Sequence, residues 1–104
     1  MSNDKKINED DLKVLHLVHN NPEISQRRIA EQMGFSLGKV NYCIKALTEV
    51  GFIKYKSFLN HKNKLSYLYI LTPKGLSEKT ALTKRFLQKK QLEYEKLYNY
   101  FHEQ

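Results

Sequence analysis

Apolar positions along the chain change their spacing several times. Between residues 8 and 19, Leu12, Val14, Leu15, Leu17 and Val18 recur at helical intervals behind Asn8, a fitting N-cap, and three acids in the first turn. Asn20, Asn21 and Pro22 end that pattern. Ser25 caps a second, short helix from Gln26 to Met33, which turns Ile29, Ala30 and Met33 inward and stops at Gly34; Ile24, just ahead, can pair as a short edge strand. Ser36 then caps a third helix, Leu37 to Val50, closed by Gly51. At about 100° per residue, Leu37, Val40, Cys43, Ile44, Leu47 and Val50 share one face of it. Gly38, Tyr42, Lys45 and Glu49 lie opposite, flanked by Lys39 and Asn41.

From Phe52 the period becomes two. Residues 52–57 alternate, residues 65–71 are aromatic and branched, and the polar segment Asn60-His-Lys-Asn-Lys64 between them reads as a hairpin tip. Thr72 and Pro73 open a last helical pattern that runs from about residue 74 to the C-terminus, roughly 45 Å at 1.5 Å per residue, too long for one small core. Its apolar stripe, Leu76, Leu82, Phe86, Leu87, Tyr94, Leu97, Tyr98 and Phe101, contains a seven-residue spacing at Leu87, Tyr94 and Phe101 and calls for a partner. From this stripe Leu82, Phe86, Leu87, Tyr94, Leu97, Tyr98 and Phe101 are expected to pair two copies of the chain.

Charge sharpens the reading. The 104 residues carry a formal +7, concentrated in residues 36–64, where six lysines face a single acid, so a polyanionic partner is expected. Length and only four glycines argue against an enzyme: there is no phosphate-cradling loop, no H-E-x-x-H and no nucleophile elbow. Cys43, the one cysteine, sits on the inward face as an inert small core residue, and no cofactor is expected. His16 and His19 lie three apart without an acid or cysteine of matching spacing, so no metal is expected either. No stretch approaches the ~18 apolar residues of a membrane span, and the start lacks the apolar core of a secretory signal. The expected location is the cytoplasm, with no membrane partner.

Two short helices joined by Gly34-Phe35-Ser36 and followed by a basic hairpin is the order of a winged helix-turn-helix: α+β, with a two- or three-stranded antiparallel wing sheet and a long C-terminal helix. In that arrangement the third helix offers Ser36, Gly38, Lys39, Asn41, Tyr42 and Lys45 to the major groove, Gly38 allowing close approach. Asn60, His61, Lys62, Asn63 and Lys64 clamp the backbone or minor groove. The start of the second helix, Ser25, Gln26 and Arg27, adds phosphate contacts; for Arg27 and Arg28 an ion pair with Glu31 or Glu23 would look the same in sequence, and Arg27 is taken as the contact. Lys54 and Lys56 read equally as guards of an edge strand. Residues 1–73 would form the DNA-binding unit and 74–104 a pairing helix folded with it.

The runs Ile24-Ser-Gln-Arg-Arg-Ile-Ala-Glu-Gln-Met-Gly34, Ser36-Leu-Gly-Lys-Val-Asn-Tyr-Cys-Ile-Lys-Ala-Leu47 and Leu71-Thr-Pro-Lys-Gly75 resemble the MarR family of bacterial transcriptional regulators, over roughly residues 10–100. The middle run is most similar to a subgroup associated with exopolysaccharide gene clusters. The resemblance implies a homodimer on a pseudo-palindromic operator of double-stranded DNA and surface-polysaccharide genes as the target; repression is the expected sense, with activation left open. Many family members have further C-terminal helices that build a dimer domain and a ligand cleft, whereas one helix follows Pro73 here; a small-molecule effector is left undecided. The alternative of another class is a winged-helix module that meets a protein partner, its basic surface giving only nonspecific attraction to nucleic acid.

Overall fold

A computed structural model describes residues 6–103. The first helix, α1 (Glu9–Asn20), starts where Asn8 Oδ1 accepts the Asp11 N–H at 2.8 Å and Asp11 Oδ2 accepts the Asn8 N–H at 3.0 Å, so two end donors of the helix are satisfied reciprocally. Helices α2 (Gln26–Met33) and α3 (Leu37–Glu49) follow, separated by Gly34 in the left-handed region (φ 69°). Strands β1 (Ile53–Leu59) and β2 (Leu65–Leu71) form an antiparallel pair, and α4 (Pro73–His102) runs 30 residues to the end of the described chain.

Val14, Leu15 and Val18 of α1, Ile29 of α2, Val40, Cys43, Ile44 and Leu47 of α3, and Phe52, Ile53 and Tyr69 at the hairpin base bury themselves together. This is the inward stripe of each helix meeting at one point. The first turns of α4 join it through Leu82, with Phe86 packed at the margin. Beyond Phe86 the helix leaves the core, and the molecule reaches 62 Å along its longest axis.

Several expectations need correction. Leu37, read as inward, is half-exposed and lines the groove between α3 and the hairpin; Val50, read as the last residue of α3, is its C-cap and packs half-buried against the core. Ile24 forms no strand: its N–H bonds to the Asn21 carbonyl, and the Tyr69 N–H that could have paired there goes to the Pro22 carbonyl at 2.8 Å. The sheet therefore has two strands. Leu82 and Phe86, grouped with the pairing residues, point into their own chain, the apolar area of Leu82 being already removed from water by its own core.

The run Leu71–Gly75 is the joint between hairpin and last helix. Thr72 Oγ1 donates to the Gly51 carbonyl at 2.6 Å and accepts the Gly75 N–H at 2.9 Å, while the Thr72 N–H bonds to the Phe52 carbonyl. One threonine thus caps α4 and ties it to the end of α3.

Candidate nucleic-acid interface

The outward face of α3 is open. Gly38, Lys39, Asn41, Tyr42 and Lys45 are all exposed, and a Cβ added at Gly38 would meet nothing within 4 Å. The hairpin stands beside this helix, and its register sorts its side chains by alternation. Tyr55 pairs with Tyr69 and Ser57 with Tyr67, which puts three tyrosines on one face with ring centroids 5.8–6.4 Å apart. That face and α3 enclose a groove of about 750 Å³ onto which Gln26, Arg27, Asn41 and Lys45 open. Lys54 and Lys56 sit on the other face, opposite Ile70 and Leu68, as guards of the sheet would.

The cations differ in what holds them. Arg28 reaches Glu31 at 4.0 Å, a contact of little worth on the surface, while no ion pair forms at Arg27, Lys45, Lys62 or Lys64 among the described residues. Lys39 is committed: its ammonium lies 2.7 Å from Asp10 and 4.1 Å from the Phe35 ring centroid, so contact with DNA requires it to leave Asp10. Ser25 Oγ and Ser36 Oγ accept the N–H groups of Arg28 and Lys39 at 3.1 Å as helix caps. Each hydroxyl proton stays available to a phosphate oxygen.

At the tip the asparagines are turn-formers. Asn60 Oδ1 accepts the N–H groups of Lys62 (2.8 Å) and Lys64 (3.1 Å), and its Nδ2 donates to Ser66 Oγ at 3.1 Å. Asn63 takes the left-handed conformation at φ 56°. Asn60, proposed above as a backbone clamp, spends its side chain on the turn that aims His61, Lys62 and Lys64. Sequence reasoning missed Tyr55, Tyr67 and Tyr69 as groove residues, although two-residue alternation about the tip puts them on one face.

His16 and His19 turn to α4. His16 Nε2 lies 3.0 Å from Thr83 Oγ1, whose own proton goes to the Lys79 carbonyl, so Nε2 is the donor; His19 Nδ1 accepts from Lys79 Nζ at 2.9 Å. Burial, then the Lys79 and His19 charges, hold the His16 pKa below its usual value. Cys43 is buried, and burial followed by the neighbouring Asp11 carboxylate pushes its thiol up to about 12. The thiol is protonated at neutral pH, so it is expected to react with iodoacetamide in the folded chain at least tenfold more slowly than in denaturant; equal rates would contradict this burial. Because the folded pKa is raised, this group's contribution to stability is complete below about pH 8.5 and is lost as pH rises towards 12.

On α4, exposure separates two faces. At about 100° per residue, Leu87, Tyr94, Tyr98 and Phe101 fall within an arc of about 60°, roughly a third of the way round from Leu82 and Phe86. Leu97 lies between the two faces. All five are exposed, Leu87, Tyr94 and Phe101 at 65% each. Leu76, Leu92 and Tyr100 are also exposed apolar residues of this helix, absent from the expected pairing set.

Comparison with known proteins agrees with this geometry. Residues 7–54 match a family described as winged helix-turn-helix DNA-binding. The fold is a winged helix-turn-helix. No curated protein matches the chain. Among solved structures it is similar to the PcaV transcriptional regulator from Streptomyces coelicolor in complex with its natural ligand (19% identity, TM-score 0.69, covering 85% of this chain and 61% of that one). It is also similar to a MarR protein from Peptoclostridium difficile (13%, 0.67, 86% and 57%) and to Streptococcus pneumoniae FabT in complex with DNA (20%, 0.59, 89% and 62%). The chain thus spans about three fifths of the length of each. No described helix is long and apolar enough to cross a membrane.

Proposed function

We propose that this chain is a MarR-type transcriptional regulator that binds double-stranded DNA as a homodimer in the cytoplasm and is not an enzyme. The observation that carries the reading is a group of cations with no ion pair among the described residues, Arg27 and Lys45 at the groove and Lys62 and Lys64 at the wing tip, on a helix-turn-helix with an open third helix. Surface lysines and arginines with acids in reach form pairs elsewhere in this chain, as Lys13 does with Glu9 and Lys90 with Glu9 and Glu93. Lys54, Lys56 and several cations of α4 have no ion pair among the described residues either, but Arg27, Lys45, Lys62 and Lys64 are the ones gathered around the open third helix and the wing tip, where they are suited to phosphates. The solved complex of FabT with DNA is support from a protein of the same fold. Exposed Leu87, Tyr94, Tyr98 and Phe101 support pairing of two copies, and two-fold symmetry in the protein would be matched by a pseudo-palindromic operator. Repression follows from occupying promoter DNA; the resemblance of residues 36–47 directs the search for targets to surface-polysaccharide genes.

Salt dependence tests the reading. Duplex affinity is expected to fall steeply with salt on a log–log plot, and replacing Lys62 and Lys64 together by glutamine to reduce the slope by about 1.8, at about 0.9 per phosphate contact. A flat salt response, or a slope untouched by the double replacement, would favour a protein-binding module instead.

A further inference from the structure

We infer that Asn41 reads an adenine in the major groove, and that Gln26 and Tyr69 are positioning residues that fix its carboxamide for that base. The inference deepens the DNA-binding reading and rests on it. Asn41 is exposed on α3, and its Nδ2 donates to Gln26 Oε1 at 3.4 Å. Gln26, the first residue of α2, donates in turn through Nε2 to the Tyr69 hydroxyl at 3.3 Å. Tyr69 is the anchor of the line: it is 3% exposed, and its backbone N–H is held by the Pro22 carbonyl at 2.8 Å.

This chain of bonds gives Asn41 a polarity. An unrestrained carboxamide can turn over and offer donor or acceptor at either end. As the three side chains are placed, one N–H of Nδ2 goes to Gln26, and what remains for a ligand is the acceptor Oδ1 beside a single N–H; the Tyr69 hydroxyl can equally donate and turn both amides over, and guanine at this position would reveal that arrangement. Adenine presents one donor, N6–H, beside one acceptor, N7, and takes both. Guanine presents two acceptors, O6 and N7, and would leave Oδ1 facing an acceptor. Cytosine offers one donor and thymine one acceptor, so each satisfies half of the pair.

Duplexes are selected from a randomised pool by the full-length protein, and binding to the selected sequence, to single-base variants and to random duplex is then measured at fixed salt. One adenine in each half-site is expected to be sensitive, its replacement by guanine weakening binding by about five- to 150-fold, with this sensitivity absent in Asn41→Ala. Tyr69→Phe, which keeps the ring and removes the acceptor, is expected to reduce the adenine-over-guanine preference at that position about two- to tenfold, leaving random-duplex affinity and all other positions unchanged. Gln26→Leu, on a half-buried side chain, is expected to lose the same base preference at that position, with any loss of its phosphate contact weakening all duplexes equally, and combining it with Tyr69→Phe takes nothing further from that preference, as for members of one line. Uniform loss at every position in both variants would reduce Tyr69 and Gln26 to structural residues and overturn the inference. So would unchanged base preferences in Asn41→Ala, or guanine or cytosine at the position Asn41 controls. Failure of the unaltered protein to bind any duplex would overturn the DNA-binding reading itself, a separate result.

Discussion

Gly75→Ala is expected to destabilise the chain by about 3 kcal/mol, a drop in melting temperature on the order of 12–24 °C. A Cβ at this position would come within 2.1 Å of the Phe52 carbonyl oxygen, 2.8 Å of its carbon and 2.9 Å of Leu71 Cδ1. The oxygen has no freedom to move aside, since it accepts the Thr72 N–H and lies 3.1 Å from Thr72 Oγ1. Relieving the clash means pulling α4 away from the end of α3 and breaking the threonine cap. Two other glycines supply controls. Gly38→Ala adds a methyl in open space on a helix, where loss of unfolded-state freedom should stabilise by about 0.5–1 kcal/mol. Gly34→Ala, at φ 69°, meets no atom and should lose only about 1 kcal/mol to backbone strain. Thermal unfolding that ranked Gly34 above Gly75 in sensitivity would contradict the joint as described.

That joint shows what was legible in the sequence and what was not. Thr72 and Pro73 announce a helix start by local chemistry alone, and α4 begins there. The need for glycine at 75 comes from Phe52, 23 positions earlier, which no local pattern reports. The same division runs through the interface. Periodicity put Asn41, Tyr42 and Lys45 outward, because a helix with one apolar stripe has only one way to face its core. It put Leu37 inward, since a wheel counts every apolar position as core, whereas this one, at the start of α3, lies half-exposed at the groove beside the hairpin. Asn60 looked like a clamp because its type suits phosphate contact equally well; the turn claims its side chain by hydrogen bonds to residues two and four ahead. Lys39 looked available because its partner Asp10 lies on another helix. Seven-residue spacing marked Leu87, Tyr94 and Phe101, whereas Leu82 and Phe86 entered the same set because a single stripe was drawn through a helix that uses one face within its own core and exposes another.

If the chain pairs as proposed, Tyr94→Asp combined with Phe101→Asp is expected to leave it monomeric and to weaken binding to a duplex carrying two half-sites by about 10²- to 10⁴-fold, with little change on a single half-site. The argument starts from exposure. Both rings are 65% exposed on their own chain, so the core that holds α1, α3 and the hairpin loses nothing and each monomer keeps its fold. In the proposed dimer their contribution lies between copies, where full burial of an aromatic or leucine side chain is worth about 1.5–3 kcal/mol, and four to five such residues per helix would form a seam. A carboxylate placed there must be desolvated against apolar neighbours and against its symmetry mate, which reverses the sign of each contribution. Once the copies separate, the second half-site no longer binds as an intramolecular event, and the lost affinity is the effective concentration that linkage supplied. Sedimentation reads the first effect and paired duplex titrations the second. A persistent dimer would move the interface off this seam; a monomer that bound two half-sites as tightly as the unaltered protein would mean that each copy engages DNA on its own.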